Sequence, residues 1–202
     1  MKKTLVLTAA AAAVLAGCAT YTPPSQEETM AVIKSSFRDR GIAKVDRLNQ
    51  TELQKVCSET ANNPPKEVRE RLEKAALAAV RFPADGKWLG DHKRGERVAQ
   101  TGVGLQWSDR ADTVAGGNCY ACHQMSKAEI SFGNIGPSLY NYGKLRGYSD
   151  EIKRYTWAKI WNTNAYNACS SMPRFGEAGI LTEEQIRDVM ALLLDPESPV
   201  NK

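Results

Sequence analysis

Gly117-Asn118-Cys119-Tyr120-Ala121-Cys122-His123 decides how the rest of the chain is read. Two cysteines separated by two residues and followed at once by histidine form the attachment signature of c-type haem. The thiols of Cys119 and Cys122 add to the two vinyl groups, and His123 is placed to ligate the iron from one face. Three other readings of the motif fall short. A thioredoxin-like redox pair needs a βαβ context, and no run of β-branched residues with period two occurs in the chain. A zinc site needs two further ligands, and His92 is the one other imidazole. A disulfide across so short a spacing is strained.

Composition agrees with a small haem protein and excludes larger designs. The chain has 202 residues, room for one domain of ordinary size with an addition. Hydrophobic residues at 42% and charged residues at 25% mark it as globular, not disordered. Two histidines exclude a multihaem cytochrome and a histidine-rich zinc enzyme. The formal charge of +4 includes Lys2 and Lys3, which belong to a leader. What remains is close to neutral, so the sequence predicts no nucleic-acid partner.

Lys2-Lys3, the apolar run Leu5 to Leu15 and then Ala16-Gly17-Cys18 have the layout of an export signal over residues 1–17. The apolar run is too short to span a bilayer. Leu15-Ala16-Gly17-Cys18 resembles a bacterial lipobox, which would make Cys18 the lipid anchor and residues 18–25 a tether. Ordinary cleavage near Ala19 is the alternative. Both place the chain in the periplasm, where disulfides persist and c-type haem is attached.

Residues 26–84 read as a helical extension. Met30, Ile33 and Phe37 recur at helical spacing, with Gly41 expected as a C-cap. Thr51 is an N-cap candidate, and Pro64-Pro65 opens a pattern through Val68, Leu72, Ala76 and Val80 that Pro83 stops. Residues 85–202 form the haem domain. It should hold a short helix over Asp91 to Gln100, a glycine-rich loop to Gly117 and a helix capped by Ser149. Its last helix carries a Thr182/Gln185 capping box and the stripe Ile186, Val189, Met190, Leu193. The fold class expected is all-α with long loops.

The second axial position of the iron sets the chemistry, since a thioether suits electron transfer and an open position suits gas binding or peroxide chemistry. Met125 is too near His123 to reach the opposite haem face, and Met190 lies on the apolar stripe. Met172 stands in the loop Ser170-Ser171-Met172-Pro173-Arg174-Phe175-Gly176 and is the first candidate, with His92 as the runner-up. With Cys18, Cys119 and Cys122 assigned, Cys57 and Cys169 remain as an even pair in an oxidising compartment, which predicts a disulfide. Two independent buried thiols, or a reactive thiol at Cys169, are the alternatives.

The haem motif, then Gly136-Pro137-Ser138-Leu139, then a loop methionine before a C-terminal helix resemble the class I cytochrome c fold over roughly Asp85 to Asp195. In that family the Gly-Pro turn packs on the haem edge, which makes Pro137 a cofactor-binding residue by resemblance. Tyr142-Gly143, Arg146-Gly147, Cys169 through Gly176 and Pro199-Val200-Asn201 add a more specific likeness. Together these phrases resemble the SoxX family, the small cytochrome subunits of the SoxAX complexes of bacterial sulfur oxidation. The resemblance implies one covalent haem c with His123 and Met172 as iron ligands and no catalytic residue on this chain. It also implies a diheme SoxA-like partner bearing the catalytic haem, a SoxY-type carrier whose cysteine receives thiosulfate, and an acceptor cytochrome. As an enzyme the assembly is an L-cysteine S-thiosulfotransferase. A free-standing class I electron carrier, and a haem sensor or peroxidase with a displaceable ligand, are the competing functions. The helical segment 26–84 has no counterpart in shorter members of the family.

Overall fold

The computed structural model describes residues 23–202, so the export signal at 1–17 and the lipid anchor at Cys18 lie outside the described residues. Every regular element among the described residues is helical, apart from one isolated bridge between Arg40 and Ala43. The α-helices are α1 (Gln26–Ser36), α2 (Glu52–Glu59), α3 (Lys66–Ala78), α4 (His92–Gln100), α5 (Tyr142–Arg146), α6 (Asp150–Trp161) and α7 (Glu183–Leu194). Residues up to Arg38 form one unit and Asp39–Lys202 a second, larger one.

In the first unit, Ser25 and Glu28 close a capping box on α1, and none of its residues is buried. The helix stops at Ser36 with Phe37 as its C-cap, five residues before the expected glycine. Gly41 instead sits at positive φ in the second unit, in a turn closed by Arg40 and Ala43 through two backbone bonds of 2.9 Å.

The second unit is organised on the crossing of α4 and α7. Asp91 caps α4, and Thr182 with Gln185 forms the capping box of α7. Ile186, Val189, Met190, Leu192, Leu193 and Leu194 of α7 are all buried, and each such side chain contributes about 2 kcal/mol by leaving water. The helices approach closely at Gly95, where a β-carbon would collide with the Asp188 carbonyl and lie 3.0 Å from Leu192. Buried Asp188 accepts two bonds of 2.8 Å from the Arg94 guanidinium and a third from the Asp91 amide. The carboxylate therefore sits paired inside the crossing.

Helix α6 packs on α7 from the other side. Its Trp157 is fully buried and donates its indole N–H to the Arg81 carbonyl at 2.8 Å. Trp88 meets Trp157 edge-on and Trp161 stacks on it, so these rings are core and not an exposed interface. Residues 39–84 belong to the same compact unit as the haem motif. Helix α3 buries Leu72 and Ala76, whereas α2, opened by a Thr51/Gln54 capping box, buries Cys57 alone.

Candidate haem site

The cysteine motif occupies a single 3-10 turn, Cys119–Ala121, entered through Asn118 in the left-handed region. The His123 amide donates to the Cys119 carbonyl at 2.9 Å, which winds the cysteines and the imidazole onto one short coil. The segment 133–139 then runs alongside. Gly133, Gly136 and Leu139 donate their amides to Tyr120, Cys122 and Gln124, each at 2.8 Å. A β-carbon on Gly136 would collide with the His123 ring, so glycine is what lets this segment lie against the imidazole.

That approach delivers the bond that matters most chemically. His123 Nδ1 lies 2.7 Å from the Pro137 carbonyl oxygen. A carbonyl only accepts, so Nδ1 carries the proton and Nε2 presents its lone pair. Among the described residues Nε2 has no hydrogen-bond partner. A metal-binding imidazole requires this arrangement, with the far nitrogen fixed by an acceptor and the near one free. Pro137 acts here through its carbonyl.

Cys119 and Cys122 are both free thiols. Burial pushes the Cys119 thiol up to about 12, opposite to the lowered value of a redox-active dithiol. Beneath the turn, the buried Tyr120 hydroxyl meets Glu96 at 2.9 Å and Ser126 at 3.1 Å. Desolvation raises the Glu96 carboxyl, and the bond from Tyr120 partly opposes the shift. This polar footing was not legible in the sequence, because Glu96 and Tyr120 lie on separate segments.

The methionines separate by burial. Met125 and Met190 are 1% and 0% exposed within the core, whereas Met172 is half-buried in its loop. His92, the runner-up ligand, lies at the start of α4 with Nδ1 3.3 Å from Asp195 at the end of α7. It belongs to the helix crossing, partly buried and paired with that carboxylate. The Met172 loop is anchored downstream by Gly176 and Glu177, whose amides both donate to the Trp161 carbonyl at 3.1 Å. Upstream, Cys57 and Cys169 are joined by a disulfide across a separation of 112 residues. Independent thiols at these two positions, and a reactive Cys169, are thereby replaced by one covalent link.

The residues fit a covalently held haem: two unpaired thiols, an imidazole with its proton fixed on the outer nitrogen, and a half-buried methionine in a loop of the same unit. Comparison with known proteins agrees. The family described as Cytochrome c matches residues 108–195, a span containing the haem motif and Met172. A protein of Aquifex aeolicus (strain VF5), described as an uncharacterized lipoprotein, is 38% identical over 157 residues. The alignment covers 76% of this chain and 73% of the relative.

Proposed function

Because the chain belongs to the cytochrome c family, we propose that it is a periplasmic electron relay carrying one covalent haem c. Cys119 and Cys122 hold the group as thioethers, and His123 and Met172 supply the axial ligands. The group when bound supplies reversible one-electron exchange at iron. The observation that carries the reading is the bond from His123 Nδ1–H to the Pro137 carbonyl within a Cys-x-x-Cys-His turn. That bond fixes the tautomer, aims a constant donor and raises its basicity. Closing the other face with a thioether favours electron transfer over small-molecule chemistry.

The finer reading is that the chain is a SoxX-like subunit of a SoxAX complex. The phrases Gly136 to Leu139, Cys169 to Gly176 and Pro199 to Asn201 support it. In that setting a carrier thiol loses its proton and forms a sulfur–sulfur bond with thiosulfate. The two electrons released leave through the cytochrome one at a time. The catalytic haem belongs to the SoxA-like partner, and this chain has no catalytic residue. The relative described as a lipoprotein supports acylation of Cys18 and attachment to a membrane surface. A free-standing carrier is the second reading, favoured by a single compact unit that holds both ligand candidates.

Met172→Ala tests the relay. The oxidised variant is expected to lose the far-red sulfur-to-iron charge-transfer band, and its reduced form to bind carbon monoxide. A band unchanged by the substitution moves the ligand elsewhere. Copurification with a diheme chain separates the SoxAX subunit from the free carrier. The isolated chain is expected to show no thiosulfate conjugation.

A further inference from the structure

Residues 39–63 form a strap with two attachments in the larger unit. At one end the Arg40 guanidinium stacks over Trp107 at 3.8 Å, and Arg47 donates to the Leu105 carbonyl at 2.8 Å. Trp107 and Leu105 lie in the loop that precedes the haem motif. The base of that loop is closed by bonds from Gly117 to Val98 and from Asn118 to Thr101. At the other end stands α2, whose one buried side chain is Cys57, bonded to Cys169. An eight-residue helix that buries a single side chain has little apolar area to hold it in place. Apart from the exposed pair of Glu52 with Arg71 of α3 at 2.9 Å, the disulfide is its main attachment.

Between α2 and the methionine loop lies a cleft of about 490 Å³, with Leu53, Gln54 and Cys57 on one wall and Cys169, Met172 and Arg174 on the other. Met172 is three residues beyond the disulfide and four before Gly176, the first downstream anchor. Upstream support besides the disulfide is polar. The Ala168 amide donates to Glu73 at 3.1 Å, and Asn164 donates to the Ala168 carbonyl at 2.8 Å. Ser170 Oγ receives bonds from both Thr163 and the Met172 amide at 3.2 Å. Each such bond adds little net stability, because it replaces a bond to water. The covalent anchor is what limits how far Met172 can stray.

We infer that the Cys57–Cys169 disulfide, through the strap it pins, is the positioning element that keeps the Met172 thioether available as an axial ligand. The inference rests on the reading of Met172 as that ligand. With the link closed, Met172 lies three residues from a fixed point, and α2 lines the cleft beside the methionine loop. With the link open, α2 loses its single buried contact and the loop gains conformations that remove the thioether. Cys57 and Cys169 touch neither the haem thiols nor the histidine, so their effect is confined to the methionine side.

The test begins with the oxidised wild-type protein, which is expected to show the far-red charge-transfer band, and with Met172→Ala, expected to lack it. A wild type without that band removes both the ligand assignment and this inference. With the band present, the Cys57→Ser/Cys169→Ser variant is expected to lose about half or more of its intensity. Its ferrous form is expected to bind carbon monoxide about tenfold faster than wild type, as local opening becomes more frequent. If the variant does not mature, wild-type holoprotein is treated with dithiothreitol, capped with iodoacetamide and its iron reoxidised. The reagent gives two electrons and two protons to the two sulfurs and leaves as its own cyclic disulfide. Loss of the band after capping supports the positioning role. An unchanged band and an unchanged carbon monoxide rate overturn that role while leaving Met172 as ligand.

Discussion

The histidine side and the methionine side of the site are built by opposite strategies. His123 is held by partners within sixteen residues of it: the Cys119 carbonyl, the adjacent run through Gly133, Gly136 and Leu139, and the Pro137 carbonyl. Met172 draws on a mixed set: Cys57 by a covalent bond and Glu73 through Ala168 come from far along the chain, and Trp161 comes from the helix before it. A local scaffold forms with little loss of loop entropy and supports covalent attachment of the haem. The distal scaffold exists only once the larger unit has folded. In the proposed ligation the permanent ligand therefore sits on the part that folds cheaply, and the ligand that tunes the iron on the part that reports tertiary structure.

Removing the disulfide strains this contrast most. For a link spanning 112 residues, chain entropy gives a loss of about 4–5 kcal/mol in Cys57→Ser/Cys169→Ser, measured by urea unfolding of the holoprotein. The histidine side should keep its haem, and loss of covalent haem in that variant would break the separation between the two sides. Gly136→Ala probes the other half. The added methyl collides with the imidazole, so a cost of about 2 kcal/mol is expected, together with lower haem incorporation and an unchanged Cys57–Cys169 link. Glu96→Gln has the smallest effect, and its size depends on pH. The Glu96 carboxyl is raised in the folded protein, so the unfolded chain ionises first as pH climbs past about 4.3. Wild type loses stability from there up to the raised value and is level above it, while the glutamine variant stays flat. Urea midpoints of the two proteins should converge in acid and diverge at neutral pH in favour of the variant. Equal midpoints at all pH values would place no penalty on Glu96.

How much of this was legible in the sequence follows the same division. The haem turn, the Thr51 and Ser149 caps and the Thr182/Gln185 capping box are signals within a few residues, and the structure forms each of them. The pairing of Cys57 with Cys169 was reached by counting cysteines, not from any local cue. What escaped was non-local or aperiodic. Gly41 looked like a helix end because Met30, Ile33 and Phe37 keep helical spacing, yet α1 stops at Ser36. Five-residue α5 carries no readable period. The charged flanks of His92 hid its pairing with Asp195, since the partner is 103 residues away. The docking of Arg40 and Arg47 onto the loop at 105–107 left no trace in composition at all.

The order of the cysteines along the chain sets a sorting problem for maturation. Cys119 and Cys122 lie between Cys57 and Cys169, so the ring closed by the disulfide contains both thiols meant for haem. Four thiols can pair in three ways, and two of those consume a haem thiol in a bond with Cys57 or Cys169. Folding itself discriminates. It brings the Cα atoms of Cys57 and Cys169 to 5.5 Å, a separation suited to a disulfide, on the strap side of the unit. It also leaves Cys119 and Cys122 together as free thiols on the haem turn, away from that pair. A chain oxidised before it folds has no such guidance. The yield of holoprotein thus depends on the relative timing of collapse, oxidation and haem delivery, and mispaired apoprotein is the expected by-product wherever oxidation comes first.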